Sequence, residues 1–229
     1  MMKTSIKFDS IILGMQRFGG ISNYWNNLIA GVYSVYPESE NLMPRTRFDH
    51  GSVANEIDEK IPVSISRYLP VFNVKRNDIF HTSYYRWPMF DCKAYVVTVY
   101  DFTYEKFSSS IKKHIHSLQK SESIRRADAI ICISESTKRD LLSYYNNIDP
   151  KDIYVVHLGI DHDEFYCNKN INEYSKHNNN ILFVGRRDGY KRFDIVVEAV
   201  SKTNNFSLCI VGQSLSDEEL KMLDDKLNG

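Results

Sequence analysis

The sequence lacks an excess of charge of either sign, because its 29 Lys and Arg residues equal its 29 Asp and Glu residues. A chain with balanced charge creates no overall field that recruits nucleic acid or an acidic membrane, so any contact of that kind must be local. We therefore predict that the protein does not bind nucleic acid. The chain has 229 residues, 42% of them hydrophobic, which is enough for one large domain or one and a half smaller ones with a sizeable core.

Cysteine is scarce, and long apolar segments are missing. The four cysteines show no CxxC spacing, and Cys132 and Cys209 lie inside apolar runs that we predict to be buried strands. Free thiols in such places behave as small apolar groups, which indicates a reducing compartment. The N-terminal segment has no apolar stretch of signal-peptide length, and no window is long and apolar enough to span a bilayer. We expect a cytoplasmic protein, either free or peripheral at the inner face of the membrane.

The sequence does contain an alternation of short apolar runs with helical patterns. Strands are predicted at 6–13, 78–81, 94–99, 129–133, 153–157, 181–184 and 208–211. This alternation is typical of an α/β fold with a parallel sheet. The segment 37–77 has no sustained periodicity and favours only a short helix near 54–60, whereas 167–180 is rich in Asn and Lys and predicts a linker. The predicted domains are therefore 1–166 and 181–229.

The most distinctive stretch is a strand, a cationic loop and a helix in succession between 181 and 200. Apolar residues at helical spacing predict that the helix packs on the sheet; they are Phe193, Val196, Val197 and Val200. Four cations crowd the start of this helix, namely Arg186, Arg187, Lys191 and Arg192. Because the helix macrodipole is positive there, a phosphate or pyrophosphate held by backbone N–H groups and by these cations would remove the conflict. The alternative is that Asp188 pairs with a neighbouring Arg on a solvated surface.

Two other helix starts carry signals. Gly19 and Gly20 stand before the helix predicted at 21–35, where their missing side chains would let the backbone approach a ligand. The alternative is a tight turn without a ligand, since the third glycine of a dinucleotide-binding fingerprint is absent. Near the end of the sequence, Ser216 and Glu219 have the spacing of a capping box at the start of the last helix.

Polar residues follow the strand predicted at 94–99, and open α/β sheets bind their ligands just past the carboxyl ends of such strands. Tyr100 and Asp101 stand directly after this strand. We predict a site role for Asp101, with capping of the following segment as the alternative.

The loop after the predicted strand 78–81 and the helix predicted at 110–126 offer further contacts. Aromatic residues of the loop either stack on a sugar face or pack the loop itself; they are Tyr84, Tyr85 and Trp87. The helix carries apolar residues on one face and cations elsewhere, and its apolar residues are Ile111, Ile115 and Leu118. This pattern is typical of a solvated cationic face, with contact to an acceptor or a lipid headgroup as the alternative.

Several segments, in this order, resemble the retaining nucleotide-sugar glycosyltransferases of the large group four. They are FDSIILGMQRFGGISNYWNNLI, DIFHTSYY, VVTVYDFTYEKF, IRRADAIICISESTKRDLL, VVHLGID and ILFVGRRDGYKRFDIVVEAV. The resemblance implies a GT-B fold, in which a complete N-terminal Rossmann-like domain on the acceptor side faces a C-terminal Rossmann-like donor domain, here only its first part. It also implies a nucleoside-diphosphate sugar as donor substrate, transfer with retention to a glycan or lipid-linked acceptor in cell-surface polysaccharide biosynthesis, and neither a metal nor another cofactor.

The resemblance also implies roles for single residues. The pair Gly19 and Gly20 would approach the donor phosphates, while Arg186 and Lys191 would hold the pyrophosphate as it leaves. Tyr100 and Asp101 match the catalytic segment, which usually has His before the Asp. A tyrosine donates a hydrogen bond but is a poor base near neutral pH, so we expect altered orientation of the sugar or acceptor.

A second departure concerns length, since the chain stops at Gly229, before the region where the family places a pair of glutamates that hold the donor. A sheet of two strands does not make a stable second domain, so we expect a shortened reading frame, a fragment or one piece of a split enzyme completed by a partner chain. Three hypotheses follow: a glycosyltransferase, a non-catalytic binding or scaffold remnant, and a sugar-nucleotide epimerase of similar architecture.

Overall fold

The computed structural model describes residues 4–16, 19–45, 55–107, 111–160, 162, 179–187, 189–203 and 205–227. The chain divides into two compact units, Met1–Gly159, called unit 1, and Ile160–Gly229, called unit 2. The predicted linker at 167–180 lies almost entirely outside the described residues. This linker and the predicted domain limits at 166 and 181 therefore stay predictions.

Unit 1 is built on a parallel sheet. Its strands are β1 Ile6–Asp9, β2 Glu40–Arg45, β3 Asn55–Pro62, β4 Ile79–Thr82, β5 Ala94–Val99, β6 Ala129–Cys132 and β7 Ile153–Val155. In the described part of unit 1 these seven strands lie in the order β3-β2-β1-β4-β5-β6-β7. The order reverses between β1 and β4, where Asp9 lies opposite Thr82. Such a reversal is a topological switch point, and ligands of open α/β sheets bind outside the carboxyl ends of the strands there.

The helices of unit 1 connect these strands and cover the sheet. They are α1 Ile11–Met15, α2 Gly20–Val35, α3 Val63–Ser66, α4 Thr103–Phe107, α5 Ile111–Arg126 and α6 Glu135–Tyr144. Helix α6 begins after Ser134, whose hydroxyl oxygen accepts the Thr137 N–H at 3.1 Å and so caps the first turn. Within the described ranges, no helix is both long and apolar enough to cross a membrane. The predicted α/β fold is confirmed.

Two sequence predictions in unit 1 are wrong. The strand predicted at 6–13 ends at Asp9, and the apolar residues after it form the short buried helix α1. A short apolar run cannot be assigned to a buried strand or a buried helix by periodicity alone. The short helix predicted near 54–60 is instead part of β3, which pairs in parallel with β2. Pairing between distant segments decides strand formation where local preference is weak.

Apolar side chains cover both faces of the sheet in unit 1. Successive residues of a strand point to opposite faces, and β4 shows this clearly. Phe80 belongs to a cluster that includes Val97 and Ile130. The next residue, His81, contacts the rings of Phe8 and Trp25, which belong to a second cluster. The sheet is therefore sandwiched between two apolar layers, as a parallel sheet requires.

Unit 2 contains, in its described residues, two parallel strands, β8 Asn180–Val184 and β9 Ser207–Val211. Helix α7 Phe193–Ser201 connects them and α8 Asp217–Leu227 follows, so the predicted strand, helix and strand are confirmed. The predicted capping box is confirmed as well. The Glu219 N–H donates to the Ser216 hydroxyl at 3.2 Å, and the Ser216 N–H donates to a Glu219 carboxylate oxygen at 2.9 Å.

His81 is a buried titratable group in the core of unit 1. Its Nε2 lies 2.8 Å from the Thr98 hydroxyl oxygen. Burial lowers the pKa of His81 from its ordinary value of 6.5 to about 3. The folded protein therefore keeps this imidazole neutral at pH values where the unfolded chain takes up a proton. The free energy of unfolding must fall as the pH drops below the unfolded pKa, and the fall continues toward the folded pKa.

We predict that replacing His81 by Gln removes this part of the pH dependence. A single proton contributes at most about 1.4 kcal/mol per pH unit to the free energy of unfolding. The wild type should therefore lose stability faster than His81→Gln between about pH 6.5 and 5. Urea unfolding followed by tryptophan fluorescence reports on unit 1, since both tryptophans, Trp25 and Trp87, lie there. The control is His157→Gln at an exposed histidine, and equal slopes for wild type and His81→Gln would contradict the assignment.

Candidate functional site

A buried ion pair organises the switch point of unit 1. Arg86 Nη1 lies 2.9 Å from Asp9 Oδ1, and both side chains are almost fully buried. Thr82 donates its hydroxyl to Asp9 Oδ2 at 3.1 Å, and Arg86 Nε donates to the Leu69 carbonyl at 3.0 Å. Buried charges are tolerated when they are paired and hydrogen-bonded in this way. The pair fixes the loop after β4 to the end of β1, and sequence reasoning missed it because no local pattern joins residues so far apart.

The loop 83–86 that follows β4 contains a strained residue. Tyr85 has a φ of 60°, a left-handed conformation that costs a tyrosine free energy. The loop is also held by the Tyr95 hydroxyl, which donates to the Arg86 carbonyl at 2.8 Å. Tyr85 is buried, as the packing alternative for the aromatic loop requires, whereas Tyr84 is only partly buried.

Tyr100 follows β5, and only 7% of this residue is exposed. Its hydroxyl accepts the indole N–H of Trp25 and donates to the Ser83 carbonyl at 3.4 Å. Burial raises the pKa of Tyr100 well above its usual value, so the phenol keeps its proton. The predicted catalytic role of Tyr100 stays a prediction, and this geometry favours positioning of neighbouring segments over direct contact with a substrate.

Asp101 is exposed beyond the carboxyl end of β5. Its Oδ1 accepts the Thr103 N–H at 2.9 Å, so the capping alternative is realised at the start of α4. Its carbonyl oxygen accepts a hydrogen bond from Lys120 Nζ at 2.6 Å. The carboxylate still faces solvent, and its contact with a substrate stays a prediction.

Lys120 is a buried cation that sequence reasoning counted among the solvated cations of the helix. Its Nζ lies 3.2 Å from Glu105 Oε2 and 3.6 Å from the centroid of the Phe102 ring. Burial lowers the pKa of Lys120, and the Glu105 carboxylate opposes that shift. Lys120 thereby joins α5 to the segment that carries Asp101. One feature of the sequence did indicate that Lys120 is buried. Lys120 precedes Ile124 by four residues, and this helical spacing places both on the packed face of α5.

Gly19 and Gly20 stand at the start of α2, as predicted. A Cβ added at Gly20 would meet no heavy atom of the described residues within 4 Å, and one at Gly19 would meet the Gln16 side chain at 3.1 Å. The described residues supply neither a side-chain cap nor an acidic side chain to the first turn of α2. The helix start therefore has N–H groups that suit an anion, and contact with a donor phosphate stays a prediction.

Two cations of the loop after β8 are bound within unit 2. Arg187 Nε donates to Glu219 Oε1 at 2.9 Å, its Nη2 donates to the Ser214 carbonyl at 2.8 Å, and 5% of its side chain is exposed. Arg192 pairs with Asp194 at 2.8 Å, and both side chains are exposed. Arg187 thus connects the loop to α8, whereas Arg192 makes a local surface pair.

Arg186 and Lys191, the predicted pyrophosphate ligands, are both exposed. A Cβ added at Gly185, the residue after β8, would lie 3.1 Å from Lys191 Nζ, so the ammonium group lies at the carboxyl end of this strand. Gly185 has a φ of 117°, which few other residues adopt. Asp188, the alternative partner for the cations, lies outside the described residues.

No group of three or more His, Cys, Asp or Glu side chains is arranged to hold a metal ion within the part of the chain that the structure describes. The expectation that transfer needs no metal stays a prediction, because other residues and the substrate itself can contribute ligands.

Comparison with known proteins identifies similar sequences and structures. Residues 41–164 match the model of Glycosyltransferase Family 4. WaaG, a glycosyltransferase involved in lipopolysaccharide biosynthesis, is 12% identical with a TM-score of 0.61, over 99% of this chain and 67% of WaaG. TarM is 15% identical with a TM-score of 0.48, and a mutant of S. aureus TarM in complex with fondaparinux, alpha-GlcNAc-glycerol and UDP is 17% identical with a TM-score of 0.46. No curated protein matches the chain.

These matches differ in what they establish. The chain covers 31% of TarM in both comparisons, and so spans about a third of that protein. The similarity to WaaG concerns the fold, and it confirms the predicted GT-B type of α/β architecture.

We predict that Arg187 stabilises α8, although it belongs to the cationic loop. Replacing Arg187 by Ala removes its bonds to Glu219 and Ser214 and leaves the first turn of α8 with the capping box alone. Amide hydrogen exchange in Asp217–Leu227 should become about threefold faster or more. Arg192→Ala, which removes the same charge from an exposed local pair, should leave exchange in α8 unchanged. Equal exchange rates in α8 for the two variants would contradict the structural role of Arg187.

Proposed function

Because this chain belongs to Glycosyltransferase Family 4, whose model matches more than half of its residues, we propose that it transfers a sugar from a nucleoside-diphosphate sugar to a glycan or lipid-linked acceptor. The transfer proceeds with retention and serves cell-surface polysaccharide biosynthesis. The nucleotide sugar is a substrate, and the proposal includes no metal or other cofactor.

The exposed cations Arg186 and Lys191 carry the proposal. The main electrostatic task in sugar transfer is to stabilise the diphosphate as it leaves. The Lys191 ammonium lies at the carboxyl end of β8, and the Arg186 side chain is exposed. A guanidinium and an ammonium close to the start of a helix suit a diphosphate, because Arg binds phosphate oxygens in pairs and Lys supplies a compact charge.

Unit 1 contributes a second set of groups to the proposal. The N–H groups at the start of α2 suit a phosphate, and Asp101 presents a carboxylate at the carboxyl edge of the sheet. Asp101 would orient the transferred sugar or the acceptor hydroxyl. Tyr100 would act through its buried bonds to Trp25 and Ser83, which hold the segment that Asp101 belongs to.

We predict that the double replacement Arg186→Ala with Lys191→Ala weakens binding of nucleoside diphosphates. Two charge-assisted contacts to a diphosphate would be lost, and the affinity should fall about tenfold to a hundredfold. Isothermal titration calorimetry with UDP, GDP and ADP measures the change and also identifies the preferred base.

The matched control is Arg192→Ala with Lys202→Ala, which removes two exposed cations from the same unit, each paired with a neighbouring carboxylate. This control should bind as the wild type does. If the wild type binds none of the three nucleotides, or if both double variants bind equally well, the diphosphate site is not at Arg186 and Lys191.

A peripheral membrane contact is supported by the surface of α4 and α5. Ile115 and Leu118 are exposed, because α5 packs through other residues such as Lys120 and Ile124. Leu118 is 71% exposed and Phe107, at the end of α4, is also 71% exposed. Exposed apolar side chains on surface helices suit the interface of a bilayer, where a lipid-linked acceptor would be found.

We predict that Phe107→Ser with Leu118→Ser lowers binding to vesicles that contain phosphatidylglycerol. A serine side chain does not enter the acyl region of the bilayer as phenylalanine or leucine does. The loss of two apolar anchors should weaken binding about tenfold or more. Co-sedimentation with the vesicles measures this. The control, Phe72→Ser with Phe90→Ser, removes two exposed phenylalanines elsewhere in unit 1, and equal binding by both variants would contradict this membrane contact.

A further inference from the structure

Five side chains of unit 1 form a continuous group that we call the tyrosine–arginine cluster. They are Arg67, Tyr68, Tyr84, Tyr104 and His116. The guanidinium carbon of Arg67 lies 4.8 Å from the ring centroid of Tyr68 and 5.7 Å from that of Tyr84. The ring of His116 lies 5.5 Å from that of Tyr84 and 4.6 Å from that of Tyr104, and the last two rings are inclined by only 30°. Each member of the cluster thus contacts the next.

The cluster lies near the carboxyl edge of the sheet because of the segments that supply it. Tyr84 directly follows β4, and Tyr104 belongs to α4, which directly follows β5. Arg67 is held by its carbonyl, which accepts a hydrogen bond from the Gln119 side chain. Burial raises the pKa of Tyr84 to about 12, and the nearby Asp101 carboxylate adds to that rise. The cluster therefore borders the residue that the proposed function assigns to the sugar or acceptor.

Two polar atoms in the cluster are buried and have no hydrogen-bond partner among the described residues. They are Arg67 Nε and His116 Nδ1. Native proteins contain few such atoms, because each one costs the free energy of its lost hydration. Within the same described ranges, no carboxylate forms an ion pair with Arg67. Burial, assisted by Lys120, lowers the pKa of His116, so the imidazole is neutral near pH 7 and offers one donor and one acceptor.

Packing of the loops against each other accounts for the contacts between the rings. It does not account for the two buried polar atoms that have no hydrogen-bond partner among the described residues. A guanidinium that lies over two tyrosine rings, and that has no carboxylate partner among the described residues, is suited to an anion from outside the chain. Tyr68 and Tyr104 are 49% and 46% exposed, so their rings remain accessible. A sugar ring can place its C–H face on such an aromatic ring, and its hydroxyl groups can bond to a neutral imidazole.

We propose that the tyrosine–arginine cluster binds an acidic sugar unit of the acceptor glycan. The carboxylate of that sugar contacts Arg67, its ring lies against Tyr104 or Tyr68, and a hydroxyl group contacts His116. This inference rests on the proposed transfer function, because it assigns the cluster to the acceptor side of that reaction and names the class of acceptor.

The test uses two probes that differ only at C6, methyl α-D-glucuronide and methyl α-D-glucoside. Titration of the intact chain, followed by NMR chemical shifts, should show tighter binding of the glucuronide. Arg67→Gln should weaken binding of the glucuronide about tenfold and leave the glucoside unaffected, as expected for loss of one charge-assisted contact. Tyr104→Ala should weaken binding of both sugars. The control is Arg139→Gln, which removes an exposed cation of α6 and should change neither affinity.

Several results would overturn the inference. They are absence of shifts with the glucuronide, equal affinity for the two sugars, an Arg67→Gln variant that binds as the wild type does, and displacement of the glucuronide by an equal concentration of acetate, which would indicate a site for any carboxylate. Thermal unfolding of each variant verifies that it is folded, and the exposed residue Tyr104 provides a second variant if Arg67→Gln is not. UDP, GDP and ADP binding is measured on the same samples. If the samples bind the glucuronide but none of the nucleotides, the diphosphate site alone is refuted. If they bind a nucleotide but not the glucuronide, the cluster alone is refuted.

Discussion

The geometry of the switch point depends on the buried ion pair between Asp9 and Arg86. Two charges taken out of water cost more free energy than their attraction returns unless their remaining hydrogen-bonding atoms are also satisfied. Thr82 and the Leu69 carbonyl provide those bonds. The ion pair therefore restricts the loop after β4 to few positions. In the position that the loop adopts, Tyr85 has a left-handed conformation. One buried carboxylate thus fixes the edge of the sheet at which open α/β proteins bind ligands.

From this edge, contacts to the main chain extend the order to Asp101. Ser83 accepts the Ile12 N–H with its hydroxyl oxygen and the Tyr100 hydroxyl with its carbonyl oxygen. On the other side, Lys120 donates to the Asp101 carbonyl. The segment is therefore positioned through buried groups that do not involve the Asp101 carboxylate, which caps α4 and faces solvent. A carboxylate held by its scaffold in this way needs little reorganisation when a substrate arrives.

Sequence patterns predicted the features that are decided locally. The capping box of Ser216 and Glu219 and the strand at 94–99 depend on residues a few positions apart, so a short window contains the whole signal. Features decided by distant partners were not predictable. Strand β3 exists because it pairs with β2. Nothing in the cationic loop separates Arg187 from its neighbours, since its burial depends on Glu219, which is 32 residues later. The direction of the Tyr100 side chain likewise depends on Trp25.

The two strand ends of unit 2 explain why glycines and cations occur together in the candidate diphosphate site. A Cβ at Gly212, after β9, would lie 2.7 Å from the Gly185 carbonyl oxygen, so this close approach of the strand ends requires glycine. A Cβ at Gly185 would displace the Lys191 ammonium from the end of β8. Arg187 is neutralised by Glu219, and this pair orders the loop. A loop with all its cations exposed would have more charge but would have to be ordered by the ligand, at a cost in conformational entropy. Using one cation internally therefore favours binding by the exposed ones.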